Sequence, residues 1–172
     1  MRSESAIAPA SVVMLLGLWL SAEGLSLPWF EGDKLWPLLI AAAGGCFVLG
    51  YLCGGGAWQL FLGLLASGNG LVLYGFTAGA YGWEKLPQLW PLFLVVSGAA
   101  GLAYLVASPD APWPLLVPAL GTLLSGTTGL LYGLGLLSLD PIAQLRMLWP
   151  ALLALTGFLG FIQAIWHGIS DR

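Results

Sequence analysis

The chain has 172 residues, of which 59% are hydrophobic and only 8% are charged. A soluble domain carries about 25% charged residues, so this composition excludes a soluble globular protein and predicts an integral membrane protein. The net charge of −3 provides no basic surface, which argues against nucleic-acid binding.

Six apolar segments are each long enough to cross the hydrocarbon core of a bilayer, which takes about 20 residues. They run from about Ile7 to Leu25, Leu35 to Cys53, Ala57 to Ala80, Leu89 to Ala107, Trp113 to Leu137 and Leu148 to His167. The predicted fold is therefore an all-α integral membrane domain over residues 1–172 with six transmembrane helices. Basic residues are nearly balanced between the two sides, and we expect both termini to lie in the cytoplasm.

The triplet Leu-Trp-Pro occurs three times, ending at Pro37, Pro91 and Pro150, and a glycine follows each proline by seven residues. Proline suits the first turn of a helix, and tryptophan suits a membrane–water interface. Each triplet therefore predicts the start of a membrane helix. Aromatic residues before the triplets join their tryptophans as predicted interface anchors at one membrane face. These anchors are Trp19, Trp36, Tyr74, Trp90, Tyr132 and Trp149.

The third and fifth segments share a second pattern, in which small residues and a tyrosine recur at identical offsets. Gly63, Ser67, Gly68, Tyr74 and Gly75 match Gly121, Ser125, Gly126, Tyr132 and Gly133. With the Leu-Trp-Pro helix that follows, each such segment makes a helical hairpin of about 55 residues. The sequence thus predicts three tandem hairpins, at about residues 6–54, 57–108 and 113–168.

Small residues on these segments also predict close helix packing in lipid. The predicted packing residues are Gly63, Ser67, Gly121, Ser125, Gly129 and Gly133. The stripe on the fifth segment either packs inside the bundle, which we favour, or forms the contact face for a partner.

Asn69 is the most polar residue at mid-membrane depth, and its aligned position is Thr127, next to Thr128. An amide without partners in hydrocarbon costs several kcal/mol, so we expect Asn69 to bond Ser67, Thr127 or Thr128. This polar group either joins helices or lines a small cavity. His167 is the only histidine and a weak candidate ligand for haem or chlorophyll, because it lacks carboxylate partners. We expect no metal and no cofactor.

No serine-hydrolase, zinc-protease or phosphate-loop motif is present, so we expect no catalytic activity. The pattern from Gly63 through Tyr74-Gly75 to Leu89-Trp90-Pro91 and Gly98 resembles the transmembrane hairpins of LiaI/LiaF-type bacterial proteins. The third hairpin, from Gly121 to Gly157, matches as well. HdeD-type six-helix membrane proteins are similar in length, hairpin count and glycine periodicity. Both resemblances imply a small protein of the bacterial cell envelope that is linked to stress responses.

Three functions are compatible with these patterns. The leading hypothesis is a non-catalytic scaffold or accessory subunit of the bacterial cytoplasmic membrane that binds another membrane protein. The first alternative is a small transporter or channel-like bundle for a neutral solute, built around Asn69. The second is a pigment- or quinone-associated subunit of an electron-transfer complex, with His167 near the cofactor.

Overall fold

A computed structural model describes residues 7–25 and 31–137, together with the single positions 150, 154, 157, 158 and 161. This part of the chain is helical, without a strand. The helices are α1 (Ile7–Gly24), α2 (Gly32–Leu52), α3 (Ala57–Thr77), α4 (Leu86–Leu89), α5 (Pro91–Ala107) and α6 (Leu116–Gly133). Short 3-10 turns at Trp83–Lys85 and Trp113–Leu115 lead into α4 and α6.

The chain divides into two compact units, Met1–Pro87 and Gln88–Arg172, which we call unit 1 and unit 2. In unit 1, α2 packs along α3, and α1 lies more loosely against α2. In unit 2, α5 packs along α6. Among the described helices, the tightest pairing in each unit thus joins a Leu-Trp-Pro helix to the helix that follows it, and the packing of α6 against the third Leu-Trp-Pro helix lies outside the described residues. The sequence pattern had grouped each Leu-Trp-Pro helix with the helix before it.

Three described helices are long and apolar enough to cross a membrane. They are Gly32–Leu52, Ala57–Thr77 and Trp113–Gly133. A fourth candidate arises if Trp83–Leu89 and Pro91–Ala107, which are bent by 51° from each other, form one span. In the first predicted span, Pro9–Gly24 is a shorter apolar helix, and the sixth span lies almost entirely outside the described residues. The described part therefore supports a membrane protein with three or four candidate spans, fewer than the six predicted.

The Leu-Trp-Pro triplet opens a helix in one of the two fully described copies. Pro91 is the first residue of α5, so the prediction is confirmed there. Pro37 lies inside α2, which already begins at Gly32, so the prediction is wrong for the first copy. The extra turn is favourable because Asp33, in that first turn, places negative charge at the positive end of the helix dipole.

Three described helices are followed by a glycine with positive φ: Gly54 after α2, Gly79 after α3 and Gly135 after α6. After Gly54 and Gly135 the next amide reaches back five residues. Gly55 N donates to Gly50 O at 3.0 Å, and Leu136 N donates to Leu131 O at 2.9 Å. This Schellman arrangement gives partners to carbonyls that the helix leaves free, which matters at the edge of a bilayer where water is scarce.

Candidate functional site

In unit 1, small residues of α3 lie directly against the backbone of α2. A Cβ atom added to Gly70 would stand 2.8 Å from the Pro37 carbonyl oxygen and 2.6 Å from the Ala41 amide nitrogen. One added to Gly63 would stand 2.8 Å from the Val48 amide nitrogen. Real Cβ atoms essentially never approach so closely, so only a hydrogen fits at these positions.

The contact is reciprocal at the middle of the two helices. A Cβ on Gly44 of α2 would lie 2.7 Å from the Gly63 carbonyl oxygen, and one on Gly63 would lie 2.9 Å from the Gly44 carbonyl oxygen. Each glycine therefore points a Cα hydrogen toward the other's carbonyl group. Such contacts recur at close helix–helix interfaces and contribute about 0.5–1 kcal/mol each. We call the α2 surface formed by Pro37, Ala41, Gly44 and Val48 the first seam.

Unit 2 repeats this joint with the same spacing on the Leu-Trp-Pro helix. A Cβ on Gly126 would lie 2.9 Å from the Pro91 carbonyl oxygen and 2.6 Å from the Val95 amide nitrogen. A Cβ on Gly98 would lie 2.5 Å from the Leu123 amide nitrogen. We call the α5 surface of Pro91, Val95 and Gly98, with Leu102 as its fourth position, the second seam.

The contacts fix the true register of the internal repeat. Gly70 and Gly126 meet the carbonyl groups of equivalent prolines, and they lie 56 residues apart. The match of Gly63 with Gly121 by residue type implied an offset of 58. At the offset of 56, the position that corresponds to Gly63 is Ala119, and a Cβ added to Gly101 of the second Leu-Trp-Pro helix would lie 3.1 Å from Ala119 Cβ. The repeat is therefore a heptad of small residues that does not preserve residue type.

The predicted stripe on α6 is partly used inside unit 2. A Cβ on Gly129 would lie 3.1 Å from Pro91 Cγ, and one on Gly133 would collide with the Gln88 carbonyl oxygen. These two stripe residues thus pack against the Leu-Trp-Pro segment of their own unit. Gly121 and Ser125, which complete the predicted stripe, are half-buried.

Hydroxyl groups link the two helices of unit 1. Ser67 Oγ donates to the Ala41 carbonyl oxygen at 3.1 Å, and Thr77 Oγ1 donates to the Lys34 carbonyl oxygen at 2.7 Å. In unit 2 the hydroxyl bonds of Ser97, Thr122 and Thr127 stay within one helix, as in the bond of Thr127 Oγ1 to Leu123 O at 2.8 Å. Ser67 and Thr77 therefore add polar links between the two helices of unit 1.

Asn69 keeps an unpartnered oxygen. Its Oδ1 is buried and accepts no hydrogen bond from the described residues. Two of the partners expected for it, Ser67 and Thr127, donate to main-chain carbonyls instead. Grouping of Asn69 with Thr127 and Thr128 into one polar spot stays a prediction.

Gln59 is a second buried amide side chain, and it was not predicted from the sequence. Gln59 is 1% exposed, and its Oε1 lies against Gly55 without a donor among the described residues. It is the third residue of α3, a position where glutamine often turns back toward the helix start. Two sequence features could have predicted this burial: the glycine run before α3 and the position of Gln59 in the first turn of that helix.

The predicted interface anchors fall at consistent places within each unit. The bond of Thr77 to Lys34 brings the end of α3 that carries Tyr74 beside the start of α2 that carries Trp36. In unit 2, the contact of Gly133 with Gln88 places Tyr132 at the same end as Trp90. Trp36 and Trp90 are 40% and 44% exposed, as suits a ring that faces lipid.

The remaining predicted site residues are Trp19, Trp149 and His167. Trp19 is half-buried near the C-terminal end of α1. Trp149 and His167 lie outside the described residues. Within the described part, no group of three or more His, Cys, Asp or Glu side chains could hold a metal ion.

An aromatic cap closes the end of α3 and was not predicted. Phe76 is 2% exposed; its ring centroid lies 5.7 Å from that of Tyr81 and 5.4 Å from that of Trp83, which stacks on it at 27°. Tyr81 N donates to Gly75 O at 3.0 Å, which folds the loop back onto the helix. Tyr81 and Trp83 remain about half exposed and provide amphipathic rings of the kind found at membrane interfaces.

Comparison of the chain with protein-family models, curated proteins and solved structures found no match. The resemblance to LiaI/LiaF-type and HdeD-type proteins therefore stays a prediction.

Proposed function

We propose that the protein is a non-catalytic accessory subunit of the bacterial cytoplasmic membrane, which binds another membrane protein by helix–helix packing. The observation that carries this proposal is the seam itself. The chain builds a similar close-packed joint twice: Gly70 and Gly126 each lie against a proline carbonyl, Gly44 and Gly98 each lie against the main chain of the facing helix, and no charged side chain is among these contacts. Because the chain joins its own helices in this way twice, we propose that it joins a helix of another membrane protein by similar packing.

The outward surface supports the same function. Because small residues occupy the seams, large apolar side chains point away from them, among them Leu49, Leu71 and Leu124, which are 58–64% exposed. In a bilayer, lipid tails cover such side chains as well as protein does, so hydrophobicity alone selects no partner. Close packing of backbones can select one, and we propose that the chain packs against its partner by the same kind of glycine contact that joins its own helices.

The cellular role follows from the resemblance to LiaI/LiaF-type proteins. We propose that the subunit acts in the bacterial envelope, where its partner responds to stress. The exposed rings of Trp36, Trp90 and Trp83 would hold its helices at a fixed depth, and we place both termini in the cytoplasm.

Purification at native expression level tests this function. The tagged chain should elute from mild detergent in fixed stoichiometry with a second integral membrane protein, and tagging that protein should recover the chain in return. Recovery of the chain as a lone monomer from native levels would contradict the proposal.

A second candidate function rests on the buried Asn69 oxygen. An acceptor that lacks a donor at mid-membrane depth provides a place for a neutral solute that carries a hydroxyl or amide group. Proteoliposomes should then show solute flux that Asn69→Ala abolishes. Ser97→Ala is the matched control, because Ser97 Oγ bonds only its own helix, at Phe93 O, 2.7 Å away.

The third candidate, a subunit that carries a pigment or quinone, depends on His167. An absorption spectrum of the natively purified protein tests it directly, because haem and chlorophyll absorb visible light and the apoprotein does not.

A further inference from the structure

The turn between α2 and α3 leaves the start of α3 without hydrogen-bond acceptors. Both helices are long and apolar enough to cross a membrane, so we expect the turn at the membrane surface. The N-cap residue Gly56 has no side chain to bond the helix start. The main-chain N–H groups of Ala57 and Trp58 find no acceptor among the described residues. The positive end of a 21-residue helix therefore faces the lipid headgroups with its donors free.

The charge pattern of the chain leaves this helix end uncompensated. The first turn of α2 contains Asp33, whereas the first turn of α3 contains no acidic residue. The stretch from residue 35 to residue 83 has no Asp, Glu, Lys or Arg at all. At Gly56 the backbone has φ −72° and ψ 155°, the extended conformation of a capping residue. The turn is thus shaped for an acceptor oxygen that its own residues do not supply.

Gln59 adds a buried acceptor without a donor at the same turn. The residue is 1% exposed, and its Oε1 forms no hydrogen bond with the described residues. A glutamine at this helical position can accept from the N–H of the N-cap residue, and here that bond is not made. A Cβ added to Gly55 would collide with this oxygen, so the amide points into the glycine turn. A buried acceptor without a donor is costly, and it points to a ligand that donates a hydrogen bond.

We propose that the turn between α2 and α3 binds the headgroup of phosphatidylglycerol. The phosphodiester is an anion that accepts hydrogen bonds from the free N–H groups at the start of α3, where the helix dipole also stabilises it. A glycerol hydroxyl group is the donor that Gln59 Oε1 lacks. This inference goes beyond the proposed function, because the ligand is a lipid and none of the glycine contacts between helices takes part.

Trp58 places the site at headgroup depth. Its ring is 51% exposed and packs edge-on against Phe47, with the ring centroids 6.0 Å apart. Tryptophan rings of this kind are enriched at the level of the headgroups. The phosphate of a bilayer lipid is therefore available at the height of the free N–H groups.

Native mass spectrometry of the full-length chain in mild detergent tests the site. The chain is mixed with equal amounts of three lipids that share the same acyl chains. They are phosphatidylglycerol, phosphatidylmethanol, which has the same charge and no hydroxyl group, and phosphatidylcholine, which has no net charge. Adducts of phosphatidylglycerol should exceed those of phosphatidylmethanol by about threefold, and the latter should exceed those of phosphatidylcholine by about threefold.

Two kinds of variant separate the hydroxyl contact from the phosphate contact. Gln59→Leu removes the acceptor and should equalise the adducts of phosphatidylglycerol and phosphatidylmethanol, while both still exceed those of phosphatidylcholine. Gly56→Asp places a carboxylate at the free N–H groups and should abolish the preference for both anionic lipids. Aspartate is a favoured N-cap residue, so this variant should unfold no more easily than wild type. Ala57→Pro, which removes one N–H group where a helix accepts proline, should lower the same preference.

Gly82→Asp is the matched control for added charge. Gly82 is also an extended N-cap glycine without a side-chain cap, and the 3-10 turn after it already contains Glu84. It follows the opposite end of α3 in the chain. The three lipids should therefore bind Gly82→Asp in the same proportions as wild type.

Three outcomes would overturn the proposal: equal adducts of phosphatidylglycerol and phosphatidylcholine on the wild-type chain, wild-type proportions in Gln59→Leu, or an equal loss of preference in Gly56→Asp and Gly82→Asp. Soluble glycerophosphoglycerol has the same headgroup without acyl chains, and it should displace the lipid only in large excess. Displacement at equal concentration would show that the occupant is a soluble phosphate ester and that the lipid assignment is wrong.

Discussion

Replacement of Gly70 by alanine is the sharpest test of how unit 1 is held together. The new Cβ would lie 2.6 Å from Ala41 N and 2.8 Å from Pro37 O. Carbon atoms prefer about 3.5–4.0 Å, and both obstacles are main-chain atoms that cannot rotate away. α3 must therefore move off α2 by close to 1 Å.

The separation has a cost that can be bounded. Overfilling a packed interface costs about 1–3 kcal/mol. The shift also stretches the bond from Ser67 Oγ to Ala41 O, now 3.1 Å long, and bonds of this type are worth about 0.6 kcal/mol in membranes. Alanine recovers up to about 1 kcal/mol through its higher helix propensity. We expect Gly70→Ala to destabilise the protein by about 1–2 kcal/mol.

The matched control lies on the facing helix. A Cβ at Gly45 would meet nothing within 4 Å, so Gly45→Ala gains helix propensity without a collision and should be neutral or stabilising. Unfolding of both variants by titration of sodium dodecyl sulfate into mild detergent micelles, followed by circular dichroism, gives the two free energies. Equal stability of Gly70→Ala and Gly45→Ala would refute the packing argument.

Three further predictions follow from single contacts and use the same unfolding assay. Thr77→Val should destabilise by about 0.6 kcal/mol because it removes a hydroxyl bond between helices; Thr127→Val, whose hydroxyl bonds its own helix, should change stability less. Gly135→Ala should cost about 1 kcal/mol because φ is 73° there, whereas Gly17→Ala, in a regular helix with open surroundings, should not destabilise. Asn69→Leu should stabilise, since it removes a buried oxygen without a donor; a loss of stability would show that Asn69 has a partner in the folded protein.

Composition and length were sufficient to predict helices of membrane-spanning type, because few charges and long apolar runs leave a chain no other stable arrangement. The start of α3 at Ala57 follows from the glycine turn before it. The relative tightness of the helix contacts in unit 1 did not follow from the sequence. A tandem alternation of two helix types can be divided before or after either type; α1 lies against α2, as the first predicted hairpin requires, and the contact of Gly44 with Gly63 shows that α3 packs on α2 more tightly.

The register of the repeat was also beyond sequence reasoning, for a related reason. Alignment by residue type matched identical residues, Gly63 with Gly121 and Tyr74 with Tyr132. Packing between helices depends on side-chain size and on distance from the facing backbone, and by that criterion Gly126, which lies against Pro91 O, corresponds to Gly70, which lies against Pro37 O. Positions where several small residues are interchangeable carry a strong packing signal and a weak alignment signal.

The Leu-Trp-Pro triplet sets the rotation of its helix about the helix axis, in addition to its depth in the bilayer. Trp36 is 40% exposed, whereas its neighbour Pro37 is less than 2% exposed, and Trp90 and Pro91 show the same contrast. Consecutive helix residues point about 100° apart, so a ring that prefers lipid followed by a proline that meets a glycine fixes the rotation of the helix as well as its depth. Leu148-Trp149-Pro150 contains the same two signals in the same order. We therefore expect the third triplet to set the rotation and the depth of its helix in the same way.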